Sequence, residues 1–155
     1  MAETSEIKAH LDAHGIEVWE YEEETATSAT AAAAVGCSVA EIAKTLLFLI
    51  GGKPVAVVTC GDMKVKSSPL KKVFGLKGKV KFPQAADVIE HTGYAPGGVC
   101  PFLLPTQLPV CLDKSLERFP VVYAAGGNSH SAVPVTLEQL KALTGGEIAD
   151  LCDPM

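Results

Sequence analysis

Lys44 stands immediately ahead of an apolar run, Lys44-Thr-Leu-Leu-Phe-Leu-Ile50. If the run is a strand, period two puts Lys44 on the face of Leu46, Phe48 and Ile50. With that face inward, the ammonium lies at the rim of a low-dielectric pocket. There a point charge can hold a carbonyl or a developing oxyanion. A strand-end lysine snorkelling to water fits the same spacing. The second candidate is the loop Thr92-Gly-Tyr-Ala-Pro-Gly-Gly-Val-Cys-Pro101, with three glycines and two prolines in ten residues. Such a backbone can bring several N–H groups against a substrate, or simply make a tight connection. The third is Ala124-Ala-Gly-Gly-Asn-Ser-His130, where a histidine after two glycines could bind or shuttle a proton near neutral pH, or be structural. His10 and His14 share a helix face with no third ligand nearby, and read as surface residues near that helix's C-terminal end.

Charge is distributed unevenly. The chain carries a net charge of −5, and Glu17, Glu20, Glu22, Glu23 and Glu24 crowd its beginning. From Lys64 to Lys81 there are seven lysines and no acid. This asymmetry suggests a polyanion-binding face, with Lys64, Lys66, Lys71 and Lys72 as contacts, against the alternative of a merely solvated loop and helix. The five cysteines are odd in number and none is in Cys-x-x-Cys spacing. They read as reduced packing thiols rather than as a disulfide framework or a zinc site.

The elements that must position these residues can be read from period and caps. A short amphipathic helix starts at Ser5, carries Ile7 and Leu11, and stops at Gly15; a strand over 16–21 follows. An alanine-rich helix over 27–35 is closed by Gly36, and Ser38 with Glu41 forms a capping box for another. The strand over 44–50 turns at Gly51-Gly52 into a second strand over 53–60, giving a hairpin. Ser68-Pro69 opens a short basic helix, 80–82 is a strand and 85–91 a helix. Strands are expected over 108–112, 121–125 and 132–135. Thr136 with Gln139 caps a last helix that ends at Gly145-Gly146. Hairpins and helices alternate without βαβ regularity, so the expected fold is α+β: one domain over 1–155, with a mixed, barrel-like sheet flanked by helices.

With 155 residues, 48% apolar and 20% charged, the composition is that of one ordinary globular domain. No apolar run approaches the roughly 20 residues that span a bilayer, and the acidic N-terminus is unlike a secretory signal. A cytoplasmic protein with no membrane partner is expected. Neither Gly-x-Gly-x-x-Gly nor a P-loop occurs, which disfavours dinucleotide and NTP chemistry.

Taken in order, Ile42-Ala-Lys44-Thr-Leu-Leu-Phe, Thr92-Gly-Tyr-x-x-Gly-Gly-Val-Cys-Pro-Phe102 and Val122-Tyr-Ala-Ala-Gly-Gly127 resemble the YbaK/EbsC family of aminoacyl-tRNA deacylases. That family is related to the editing domain inserted in bacterial prolyl-tRNA synthetases, and the resemblance runs over roughly residues 5–152. It implies catalytic roles for Lys44, Gly97 and Gly98. It also implies a substrate site with Thr45, Pro101, Gly126, Gly127 and His130. It implies no metal or organic cofactor. The implied partner is an aminoacyl-tRNA, with prolyl-tRNA synthetase as a second; DNA is not expected. The implied reaction is deacylation of tRNA(Pro), or a similar tRNA, carrying a small amino acid such as Cys, Ala or Ser. Lys44-Thr45-Leu46 is closer to cysteine-type relatives, whereas His130 matches alanine-type ones. Two other classes remain open: a non-catalytic tRNA- or synthetase-binding module of the same fold, and a small-ester hydrolase, for which Cys100 is the sole candidate nucleophile.

Overall fold

A computed structural model describes residues 4–155. Helix α1 (Thr4–Asp12) leads to strand β1 (Trp19–Glu20) and helix α2 (Ser28–Val35). A single 3-10 turn (Val39–Glu41) enters the hairpin of β2 (Ala43–Ile50) and β3 (Lys53–Cys60), followed by β4 (Met63–Val65). Helix α3 (Ser67–Phe74), strand β5 (Val80–Lys81) and helix α4 (Ala85–Thr92) come next. Beyond the glycine loop lie β6 (Val110–Asp113), a 3-10 helix (Lys114–Arg118), β7 (Val122–Ala124) and β8 (Ser131–Val135). Helix α5 (Leu137–Thr144), β9 (Glu147–Ala149) and β10 (Cys152–Pro154) complete the order.

The capping signals act as expected. Thr30 N donates to Thr27 Oγ1 at 3.1 Å, and Gly36 ends α2 with φ +84°. Gln139 N donates to Thr136 Oγ1 at 3.1 Å, and Gly145 ends α5 with φ +69°. The Ser38–Glu41 box also forms, with Ser38 N donating to Glu41 Oε1 at 3.0 Å, but it closes only one 3-10 turn. The next residues are already committed to β2. Lys66 rather than Ser68 is the N-cap of α3, so Pro69 falls at its third residue. The strand expected over 16–21 shrinks to two residues: Trp19 and Glu20 pair with Ala132 and Ser131, and beyond them Tyr21 N still donates to His130 O at 2.8 Å.

The main sheet has the order β5-β2-β3-β6-β9. Strands β2 and β3 pair antiparallel from Ala43↔Cys60 to Ile50↔Lys53, whereas β3–β6 and β6–β9 are parallel. The fold is therefore α+β around a mixed sheet. A second sheet runs β1-β8-β7 and a third β10-β4. Among the described residues no sheet closes into a barrel: the main sheet ends on β5 and β9, which are only two and three residues long.

The unbroken apolar run of β2 has a simple cause, since both faces are covered. Phe48, Ile50, Val55 and Val57 join the principal core with Ile7, Leu11, Phe102, Leu112 and Leu140. Leu47 and Ala56 pack on the other side with Leu108. Behind Lys44, its register partner Thr59 is fully buried and donates to Asp113 Oδ2 at 3.2 Å. Asp113 also accepts from the amides of Ser115 at 3.1 Å and Leu151 at 2.9 Å. Burial alone would push this carboxyl up, but the hydrogen bonds outweigh it and hold Asp113 below the usual carboxylate value. The strand carrying Lys44 is thus backed by a saturated polar cluster. All five cysteines are free, and Cys60, Cys100, Cys111 and Cys152 are buried as packing residues.

Candidate active site

Lys44 lies near the start of β2, half-buried. Its Nζ donates to Met63 O at 2.7 Å and more loosely to Gly61 O at 3.4 Å, while the thioether of Met155 stands 3.8 Å away. Burial holds its pKa below the ordinary lysine value, partly opposed by the nearby Cys152 and Asp62. The turn it bonds is itself anchored. Gly61 N donates to Ile42 O at 2.7 Å, and Arg118 grips Asp62 through two bonds of 2.7 and 3.1 Å. Lys44 is therefore a held cation and not a loose surface chain.

Next to it opens a cavity of about 310 Å³, lined by residues 42–46 of the β2 entry, by Gly97 and Val99, and by 123–125. This volume is at the small end of the roughly 300–1,000 Å³ typical of ligand pockets. Thr45 lines it, and among the described residues its buried Oγ1 has no hydrogen-bond partner. The remaining wall is one that sequence reasoning missed: Thr25 to Ser28 and Ala31, with Ser131 and Ala132. Thr25 Oγ1 donates to Ser131 O and accepts from Ser131 N, both at 3.0 Å, which fastens this wall to β8. The first turn of α2 opens on the cavity, and its leading amides lack intrahelical acceptors, so it adds positive partial charge there. The Thr27–Thr30 capping pair was the available signal; nothing in the sequence says where that helix start points.

The glycine loop and the 126–131 turn meet. A Cβ on Gly98 would lie 2.8 Å from Asn128 Cα, and one on Gly97 3.2 Å from Ala26 Cβ. Only glycine permits this approach at position 98. Gly126 and Gly127 stand behind the cavity rather than on it. Gly126 N donates to Ser131 Oγ at 2.9 Å, and a Cβ on Gly127 would strike Ile7 at 2.4 Å. Pro101 lines a different depression, with Leu103, Leu104 and His10. His130 is exposed and its Nδ1 is 3.1 Å from Glu23 O, so it braces the 23–28 wall from outside. Lys64 is exposed on β4, whose Met63 carbonyl holds Lys44. Lys66 pairs with Asp153 at 3.2 Å, and Lys71 and Lys72 lie in the last turn of α3. Cys100 is fully buried, its thiol pushed up to about 11 by desolvation, which makes it a packing group and not a nucleophile.

Among the described residues, Asp87, Glu90 and His91 bring three ligand-type atoms within 4.8 Å of one another on α4, and none of them lines the cavity. No described helix is long and apolar enough to cross a membrane.

The aminoacyl-tRNA editing domain matches residues 22–143, a span that contains every cavity-lining residue. YwhH, an uncharacterized protein of Bacillus subtilis (strain 168), is 36% identical over 138 residues, covering 88% of this chain and 87% of YwhH. A solved candidate trans-editing enzyme for prolyl-tRNA synthetase superposes with a TM-score of 0.85 at 31% identity, over 99% of each chain. Hypothetical protein APE2540 gives the same TM-score at 32% identity, over 97% of this chain and 100% of that one. The chain belongs to the aminoacyl-tRNA editing domain family.

Proposed function

We propose that the protein is a trans-acting deacylase that hydrolyses the ester between a tRNA, tRNA(Pro) or one like it, and a wrongly attached small amino acid such as Cys, Ala or Ser. One observation carries the reading: Lys44, the unpartnered Thr45 hydroxyl and the glycine loop converge on one small cavity. An ammonium has three donors, and two of Lys44's are engaged by carbonyls. Among the described residues the third faces only the Met155 sulfur, a weak acceptor that a carbonyl or oxyanion oxygen outcompetes. Lys44 and the amide of Gly97 hold the aminoacyl carbonyl and terminal ribose; Gly98, whose own amide donates to Ala95 O at 3.0 Å, lets the loop approach, and Thr45 Oγ1 binds a polar group of the amino acid. The ester is already activated, so positioning and charge stabilisation suffice for attack by water or by a substrate group. Side chains larger than the cavity are rejected, at about 1–3 kcal/mol per methylene. A panel of tRNA(Pro), tRNA(Ala) and tRNA(Cys), charged with Ala, Cys, Ser, Thr and Pro, tests this reading. Hydrolysis confined to small residues is expected; inactivity across the panel would overturn it.

His130 shapes the substrate site by bracing the 23–28 wall and is not an obligatory base. His130→Ala is therefore expected to change the relative single-turnover rates on Ala-, Cys- and Ser-charged tRNA more than it lowers them all. An obligatory base would contribute about 10²–10⁴-fold for every substrate. A uniform thousandfold loss between pH 6 and 8, together with loss of a titration near neutrality, would make His130 the base.

Lys64, Lys66, Lys71 and Lys72 contact the tRNA backbone. Neutralising them in pairs is expected to raise KM for every charged tRNA and to flatten its salt dependence by about one counterion per lysine that meets a phosphate. Lys66 contributes least, because Asp153 already holds it. An unchanged KM and salt slope would show that this face is merely solvated.

A further inference from the structure

Phe82 follows the edge strand β5 and is 82% exposed, its ring meeting that of Phe48 with centroids 5.6 Å apart. Lysines on an edge strand block unwanted sheet extension, which accounts for Lys79 and Lys81. A bare phenyl ring at the same edge acts in the opposite sense, inviting association, and needs another explanation. Its support is firm. Gly51 N donates to Lys79 O at 3.1 Å, and a Cβ on Gly78 would lie 2.6 Å from Gly51 Cα. The backbone leading to Phe82 is thus clamped to the β2–β3 hairpin.

The surroundings select the partner. Lys77, Lys79 and Lys81 are exposed, and none makes an ion pair among the described residues. The nearest acid along the chain, Asp87, is turned to the Gln84 amide at 3.0 Å. Lys81 lies opposite Leu49, which sets Phe82 beside Phe48. That is four residues along β2 from Lys44, or about 13 Å at roughly 3.3 Å per residue.

An accessible ring among unpaired cations suits unpaired nucleotides, whose bases stack and whose phosphates take up the charge. We propose that Phe82 is a stacking platform for an unpaired base at the 3′ end of an RNA, with Lys77, Lys79 and Lys81 on the adjoining phosphates. The inference rests on the deacylase reading above and deepens it, by naming where the single-stranded end lies once its last residue occupies the cavity.

The probe is a short single-stranded RNA ending in CCA, titrated into wild type and into Phe82→Ala, Phe82→Leu and Phe82→Tyr. In a Trp19→Phe background, Phe82→Trp reports stacking directly by fluorescence quenching. Loss of one base–aromatic stack is expected to weaken binding about fivefold or more. Ala and Leu should both show this loss, Tyr and Trp should retain affinity, and the Trp reporter should be quenched. On charged tRNA the effect should fall on KM and not on kcat. Wild-type affinity in Phe82→Leu overturns the platform alone, because any apolar surface would then serve; so does an unquenched reporter or a wild type that does not bind the oligonucleotide. Aromatic-dependent binding in a protein that hydrolyses no charged tRNA upholds the platform and overturns only the deacylase reading.

Discussion

Replacement of Lys44 by alanine is expected to slow single-turnover deacylation by about 10²–10³-fold, the usual effect of deleting one donor to a developing oxyanion. Lys44→Arg should also be poor, because a planar guanidinium is larger and cannot reproduce a point charge held on the Gly61 and Met63 carbonyls. Stability should follow a different course. Burial lowers the folded-state pKa of Lys44, so the unfolded chain binds more protons at alkaline pH. The protonated side chain therefore penalises folding below its folded pKa, and the penalty fades as pH rises towards the unfolded value. Lys44→Met relieves that penalty but gives up the bonds to the Gly61 and Met63 carbonyls, and it is expected to remove the alkaline rise in stability. Near-normal turnover in Lys44→Ala would make this lysine an ordinary strand-end cation.

Gly98→Ala is expected to produce the second large effect, by way of the backbone. The added Cβ would sit 2.8 Å from Asn128 Cα, 3.0 Å from Asn128 N and 3.1 Å from Gly127 C, none of which can rotate away. The loop must then lift from the 126–131 turn, at a cost of about 1–3 kcal/mol for overpacking. Lifting the loop also moves the Gly97 amide off the cavity, and a small geometric error of this kind typically costs about 10²-fold in rate. Gly15→Ala is the comparison: it has open space around it, but φ is +72°, so it should lose about 1–2 kcal/mol and keep its turnover. Denaturant unfolding and single-turnover rates on both variants separate the two effects. A fully active Gly98→Ala would mean that the loop does not form the site.

Much of this was legible in the sequence, for definite reasons. Thr27, Ser38 and Thr136 announce their turns because caps are local chemistry. The Lys44 strand shows itself by a continuous apolar run, which a strand covered on both faces requires. What escaped depends on distant partners. Strands β4 and β10 are three residues each and exist because they pair with one another, while β9 exists because β6 lies beside it. Nothing in Glu147-Ile-Ala149 marks it as a strand before that neighbour is known. The site divides in the same way. Lys44 and the glycine loop show as residue types out of place, whereas Thr45 enters only through the family resemblance. The Thr25–Ser28 wall does not show, because its threonines and alanines are unremarkable until Ser131 fastens them to β8. His130 and Pro101 were identified by type and order, and their side chains face other ground: His130 braces Glu23, and Pro101 faces Leu103 and Leu104.

On the proposed function, this cavity breaks an ester and does not merely hold a charged tRNA. Incubation of wild-type protein, in excess, with purified misacylated tRNA(Pro) carrying labelled alanine or cysteine tests it most directly. Ester is expected to be lost far faster than in buffer, Lys44→Ala to remove most of the acceleration, and free tRNA and free amino acid to appear in equal amounts. Protection of the ester, with charged tRNA surviving longer in the protein's presence than without it, would contradict ester cleavage and identify a binding module.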